Sequence, residues 1–184
     1  CTVKARDSRD VVIVQEKLDG SNVGVANIGG VIYPLTRSGY LAIESNYEQH
    51  RLFACWVMDR IDLFLGILRD GERICGEWLA QAHGTKYDFC GLEPFFAFDI
   101  MIEIPTESYR FPFETFISRV SGKIQTPNLL HVGSPISVDR AMGIHEQKKV
   151  PCDQVEGVVY RVERDGEVGF LCKYVRPDKV DGKY

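Results

Sequence analysis

The chain has 184 residues, 45% hydrophobic and 26% charged, which is the size and make-up of one globular domain with a real core. A formal net charge of −4 argues against the broad basic face with which many proteins grip nucleic acid. Any polynucleotide contact should therefore be local, or supplied by another part of the protein. No run approaches the ~18 apolar residues of a membrane span and no signal peptide opens the chain, so a cytoplasmic protein is expected.

A single domain over residues 1–184 is the expectation, and a start at Cys1 rather than Met suits a piece of a longer protein. Cys1, Cys55, Cys75, Cys90, Cys152 and Cys172 form no Cys-x-x-Cys pair, which argues against a zinc site or a disulfide framework and for reduced, mostly buried thiols.

In chain order, Val11 to Lys17 is a β-branched run that reads as a strand, broken at Asp19-Gly20 and resumed from Asn22 to Ile28. Gly29-Gly30 marks a hairpin returning as Val31 to Thr36. Ser45 and Glu48 have capping-box spacing. Behind them Phe53, Trp56, Val57, Ile61, Phe64, Leu65 and Leu68 share one helical face, which predicts a helix over Tyr47 to Leu68. Arg73 to Leu79 and Phe95 to Ile102 read as strands, the second apolar enough to be central. A short helix should follow Pro112. Between Thr126 and Gln147, Pro127 and Pro135 point to loops around a short strand and a short helix. Val155 to Arg164 and Glu167 to Val175 pair across Asp165-Gly166, a strong turn signal. The whole reads as an α+β domain with largely antiparallel sheets.

Chemistry concentrates at Glu16-Lys17-Leu18-Asp19-Gly20-Ser21-Asn22, where one strand ends and another begins. A lysine beside a glycine turn can project into a cleft, and the turn lets a phosphate approach the backbone. Thr36-Arg37-Ser38-Gly39 follows, then Gly76-Glu77-Trp78, Phe95-Phe96-Ala97-Phe98-Asp99-Ile100, Glu156-Gly157-Val158-Val159-Tyr160 and Leu171-Cys172-Lys173-Tyr174. This ordered set resembles motifs I, Ia, III, IIIa, IV and V of the covalent nucleotidyltransferases, the superfamily of DNA ligases, RNA ligases and messenger-RNA capping enzymes. The resemblance runs from Glu16 to Lys173. Ser21-Asn22 at the end of the lysine motif resembles the phage-type nick-sealing and RNA-editing ligases rather than DNA ligases.

The resemblance implies a nucleotidyltransferase fold around an ATP cleft and an ATP-dependent RNA ligase. Lys17 would attack the α-phosphate of ATP to give lysyl-AMP. The AMP would pass to an RNA 5′-phosphate, which is then joined to a 3′-OH. A free lysine has a pKa of ~10.4, so such a nucleophile needs a cationic or desolvated setting. Lys173 and a bound Mg²⁺ or Mn²⁺ would supply positive charge, with Glu156 as the acid associated with the metal. By the same resemblance Glu16 meets the adenine edge, and Asp19 and Asn22 are polar site groups, Asn22 serving the sealing step. Arg37 stands near phosphate and ribose, Glu77 accepts from ribose hydroxyls, and Phe98 stacks on adenine. Phe96 and Phe98 share a strand face, so the family pattern alone selects Phe98.

The chain departs from that pattern at motif V, which usually has two lysines in Lys-x-Lys spacing. Residue 171 is Leu and residue 175 is Val. A bulge could bring Arg176 round, or Lys4, Arg6 or Lys179 could substitute. A DNA ligase core and a non-catalytic nucleotide-binding member of the fold are the alternatives. A capping enzyme fits less well, with no OB-domain candidate after Tyr184, and so does NAD as donor, with too short a stretch before Lys17.

Overall fold

A computed structural model describes residues 1–89, 91–104, 107–147, 152 and 154–179. These form the strands β1 (Val11–Lys17), β2 (Ser21–Ile28), β3 (Val31–Thr36), β4 (Glu72–Trp78), β5 (Phe95–Ile104), β6 (Glu107–Arg110), β7 (Leu129–Gly133), β8 (Gly157–Arg164) and β9 (Glu167–Val175). The helices are α1 (Glu48–Met58), α2 (Ile61–Leu65), α3 (Phe113–Val120) and α4 (Val138–Gln147). The mixed α+β class with antiparallel sheets is as expected, and β6 is the strand that sequence reading missed.

The chain divides into two compact units. The first takes the described residues of Cys1–Asp19, Ala82–Gly91 and Pro127–Tyr184, and the second Gly20–Gln81 and Leu92–Thr126. The first unit holds an antiparallel sheet in the order β7-β1-β8-β9. Its period-two pattern places Val12 and Val14 of β1 with Val158, Tyr160 and Val162 of β8 in one core, closed by Leu130 of β7, Ile136 before α4 and Ala141 of α4. The β8–β9 turn has φ 52° at Asp165 and 80° at Gly166, the left-handed pair that Asp-Gly predicts.

The second unit holds the antiparallel order β3-β2-β4-β5-β6. Phe53 of α1 packs 5.4 Å from Trp78 and 5.5 Å from Phe95, ring centre to ring centre. The chain thus passes from one sheet to the other at Leu18–Gly20, in the middle of the lysine motif.

Two helix expectations fail. The single helix over Tyr47 to Leu68 is broken at Asp59-Arg60, where Arg60 leaves helical geometry at φ −130° and ψ 28°. Its guanidinium lies 4.6 Å from the Trp56 ring centre, bonds the Trp56 carbonyl at 3.2 Å and pairs with Glu93 at 2.8 Å. That set of tertiary contacts competes with helix continuation, and it leaves Leu65 exposed. The capping box does not form either. Tyr47 is the N-cap residue with no side-chain cap bond, and Ser45 Oγ instead pairs with His50 Nδ1 at 2.7 Å. The cysteines also differ from expectation. Cys75 is buried, but Cys55 and Cys172 are exposed and Cys1 and Cys152 half-buried. Cys90 lies outside the described residues.

Candidate active site

In the first unit Lys17 ends β1 directly across from Gly157 of β8, and Glu156 immediately precedes that strand. The pairing brings together two residues far apart in sequence: Lys17 Nζ donates to Glu156 Oε2 at 2.6 Å. Lys179, just beyond β9, donates to the other oxygen, Glu156 Oε1, at 2.6 Å and to Asp19 Oδ1 at 2.9 Å. Asp19 Oδ2 accepts from the Gly84 backbone N–H at 2.9 Å, and the Asp19 N–H donates to the Tyr87 hydroxyl at 2.8 Å. Burial pushes the Tyr87 phenol far above its ordinary value and outweighs that N–H donor, so the hydroxyl stays neutral. Asp19 therefore anchors the 84–87 loop and one lysine. Glycine is needed at 157 because a Cβ there would meet the Tyr174 carbonyl.

Glu16, one residue earlier, is buried. Its Oε1 accepts from the Asn128 N–H at 2.7 Å while its own N–H donates to the Asn128 carbonyl at 3.0 Å. Its Oε2 lies 3.7 Å from His145 Nε2 of α4, and this oxygen and His145 Nδ1 are buried without a hydrogen-bond partner. Sequence reading missed His145, a lone histidine on an otherwise ordinary helix.

Lys173 pairs across β8 with Val159, and through it with Gln15, two residues along from the row of Lys17, Gly157 and Val175. Partners in an antiparallel ladder point to the same face, so Lys173 and Lys17 share a face of this sheet, with Lys173 exposed. Arg176 does not replace the absent motif V lysine. Its guanidinium grips Asp178 through two bonds, at 2.6 and 3.1 Å.

In the second unit Asn22 of β2, Glu77 of β4 and Phe96 of β5 stand side by side in register. Glu77 Oε1 accepts from the Gly20 N–H at 3.3 Å. A Cβ at Gly20 would lie 2.5 Å from the Trp78 carbonyl oxygen, so tight strand packing by itself demands glycine there. Phe95 and Ala97 face the core while Phe96 and Phe98 are half-buried, as the two-residue period predicts. Phe98, however, falls at a register shift between β4 and β5 and has no ladder partner, so Phe96 is the ring directly beside Glu77.

Arg37 sits exposed on the turn after β3, closed by Gly39 at φ 84° and held by Arg73 Nη2, which donates to the Thr36 carbonyl at 3.0 Å. Arg37 and Asn22 line a hollow of about 450 Å³ together with Tyr40, Tyr47 and His50. These three rings escaped sequence reading because Tyr40 lies in the bend after β3, Tyr47 and His50 lie off the core face at the start of α1, and none carries a motif.

Among the described residues no three His, Cys, Asp or Glu side chains cluster as a metal cage. A single buried carboxylate at Glu156 fits an ion that arrives on a triphosphate, since Mg²⁺ takes one or two carboxylates and keeps waters and phosphate oxygens.

A model of the RNA ligase family matches residues 10–175. The chain belongs to the RNA ligase family. No curated protein matches it. Among solved structures, this RNA ligase family member is similar to an archaeal ATP-dependent RNA ligase in two forms. Form 2 is 22% identical with a TM-score of 0.60, and form 1 is 21% identical with a TM-score of 0.54. Each match covers 91% of this chain and 43% of that one. It is also similar to an Aquifex aeolicus protein assigned provisionally as an ATP-dependent DNA ligase, at 17% identity and a TM-score of 0.56, over 90% of this chain and 43% of that one. At these identities the likeness is one of fold, that of ligase nucleotidyltransferases. The chain spans less than half the length of the structures it matches. Among the described residues no helix is long and apolar enough to cross a membrane.

Proposed function

We propose that the chain is the adenylylation domain of an ATP-dependent RNA ligase, with Lys17 as the nucleophile. The observation that carries this reading is the 2.6 Å ion pair between Lys17 and Glu156, residues the motif order assigns to nucleophile and acidic partner. Lys17 is 19% exposed, so its amine is partly desolvated yet reachable. The amine nitrogen forms a bond to the α-phosphorus of ATP, and the bond from that phosphorus to the bridging oxygen breaks to release pyrophosphate. AMP then passes to an RNA 5′-phosphate, and a 3′-OH displaces it.

Lys173, on the same sheet face as Lys17, stabilises charge on the phosphate oxygens. Glu156 would hold the Mg²⁺ or Mn²⁺ that accompanies the triphosphate, which when bound would spread developing phosphate charge. The unsatisfied Glu16 Oε2 suits a nucleobase amino donor. Asp19 holds the motif together, Glu77 accepts from the ribose hydroxyls, and Phe98 stacks on the base. Arg37 and Asn22 serve the phosphates and the sealing step. RNA is preferred over DNA as acceptor on the family match and on Ser21-Asn22.

The test is incubation with α-labelled ATP or GTP and Mg²⁺, followed by denaturing electrophoresis. An acid-labile covalent label from ATP is expected, and its abolition in Lys17→Ala and Lys17→Arg, because a guanidinium stays protonated. Undiminished labelling of Lys17→Ala would sink the mechanism, and stronger labelling by GTP would favour capping chemistry.

A further inference from the structure

The absent motif V lysine leaves three substitutes suggested by sequence, and the structure separates them. Lys4 is exposed. Arg6 places its guanidinium 4.3 Å from the Phe170 ring centre. Lys179 is 10% exposed, with Nζ 2.6 Å from Glu156 Oε1 and 2.9 Å from Asp19 Oδ1. Lys17 takes the opposite Glu156 oxygen at 2.6 Å. Glu156, only 4% exposed, thus has a lysine on each oxygen.

We infer that Lys179 is a positioning residue that keeps Glu156 in place and compensated in charge while Lys17 gives up its own charge to AMP. The inference rests on the reading of Lys17 as the nucleophile. In that step the Lys17 ammonium loses one proton to solvent before attack and a second as the N–P bond forms, and pyrophosphate leaves with the electron pair of the broken P–O bond. The resulting phosphoramidate nitrogen carries no positive charge, so its ion pair with Glu156 is lost. A buried carboxylate stripped of its cation is strongly unfavourable. Lys179 already holds the other oxygen and needs no rearrangement to compensate it. Before the step Glu156 has two lysines on it and can spare one, whereas afterwards Lys179 is the side chain that among the described residues still pairs with it, beside any metal ion the triphosphate brings. Lys179 therefore favours the covalent state over the unmodified one, beyond any part it has in holding the fold.

Because lysyl-AMP formation reverses with pyrophosphate, this bias is an equilibrium quantity. The experiment measures the ratio of adenylylated to free protein at fixed ATP and pyrophosphate concentrations for the wild type, Lys179→Gln, Lys179→Met and Lys179→Arg, beside thermal unfolding of each unmodified protein. Both neutral variants are expected to lower the ratio ~10-fold or more, and Lys179→Arg to restore it. A purely structural role would lower the melting temperature without moving the ratio. A ratio in either folded neutral variant equal to that of the wild type overturns the inference, as does failure of arginine to restore it. A wild type that takes no label at all overturns the nucleophile assignment and this inference with it, which keeps the two failures distinct.

Discussion

In the first unit Lys17, Asp19, Glu156 and Lys179 are held by charge, each through a short bond to a residue distant in sequence. In the second, Asn22, Glu77 and Phe96 are held by the β-ladder, and Arg37 by a turn whose carbonyl Arg73 anchors. Ion pairs occur in the second unit too, among them one outside the motifs at Glu72 and one on the motif residue Asp99. Arg119 closes on Glu72, and Arg110 on the fully buried Asp99 at 2.5 Å. On the proposed reading, the charge near the motif lysine serves a bond-forming step, while the ladder-held acceptor and aromatic groups of the second unit serve recognition. A covalent step changes the charge of its nucleophile and needs a responsive counter-ion set. Recognition needs fixed geometry, which a sheet supplies without help.

Substitutions can break or sharpen that contrast. The largest effect is expected from Glu156→Gln, which removes the carboxylate shared by both lysines. Its labelling rate at saturating ATP should fall ~10²–10³-fold, as for loss of other preorganised electrostatic groups. A rate near that of the wild type would show that the charge set is architectural.

Arg119→Met is next and probes an ion pair of the second unit that lies outside the motifs. It should cost about 3 kcal/mol of stability, because Glu72 is left buried without its partner, yet leave labelling by the folded protein unchanged. Burial pushes the Glu72 carboxyl up, but the Arg119 guanidinium and the Arg69 N–H outweigh it and hold the carboxyl below its usual range. The pair therefore stabilises the fold fully above the ordinary glutamate value of ~4.3 and loses that contribution as pH falls below it. Denaturant melts across acid pH should show a shallower decline in the variant.

Glu77→Ala should separate recognition from chemistry. Loss of a charged acceptor for ribose hydroxyls should raise the ATP concentration for half-maximal labelling ~10-fold while the saturated rate holds. A fall in the saturated rate alone would instead place Glu77 in the bond-forming step.

The smallest effect belongs to Tyr160→Phe in the core of the first unit, which loses the 3.1 Å hydroxyl bond to the Ile136 carbonyl at about 1 kcal/mol. Burial pushes the Tyr160 phenol up to about 12. Its contribution to stability is therefore present below the ordinary tyrosine value of ~10 and lost as pH rises from there through about 12. Alkaline melts of the phenylalanine variant should lack that decline.

The strands were legible because their signals are local. Val31–Thr36 and Glu167–Val175 have the expected bounds, and Gly29-Gly30 and Asp165-Gly166 take the positive φ angles their residue types favour. The helix was legible on its buried face, with Phe53, Val57, Phe64 and Leu68 all in the core, but not in its continuity. Nothing in the composition of Asp59-Arg60 breaks a helix. The break follows from Arg60 meeting Trp56 and Glu93 in space. Ser45 likewise has the residue type of a cap but spends its hydroxyl on His50.

The same division holds at the site. By itself the sequence determined the order of the motifs, the placement of Lys17 at a strand end, and the shared face of Phe96 and Phe98, since periodicity and strand bounds depend on near neighbours. Only the tertiary structure decided that Glu156 reaches Lys17 and that Lys179, rather than Lys4, Arg6 or Arg176, stands on the same carboxylate. It alone revealed that Glu16 is bound to Asn128 beside His145, and that Tyr47 and His50 share a hollow with Arg37. An ion pair between residues more than a hundred positions apart leaves no local trace in composition or spacing. Its strength depends on distance and burial, and both are set only when the strands that carry its members have paired.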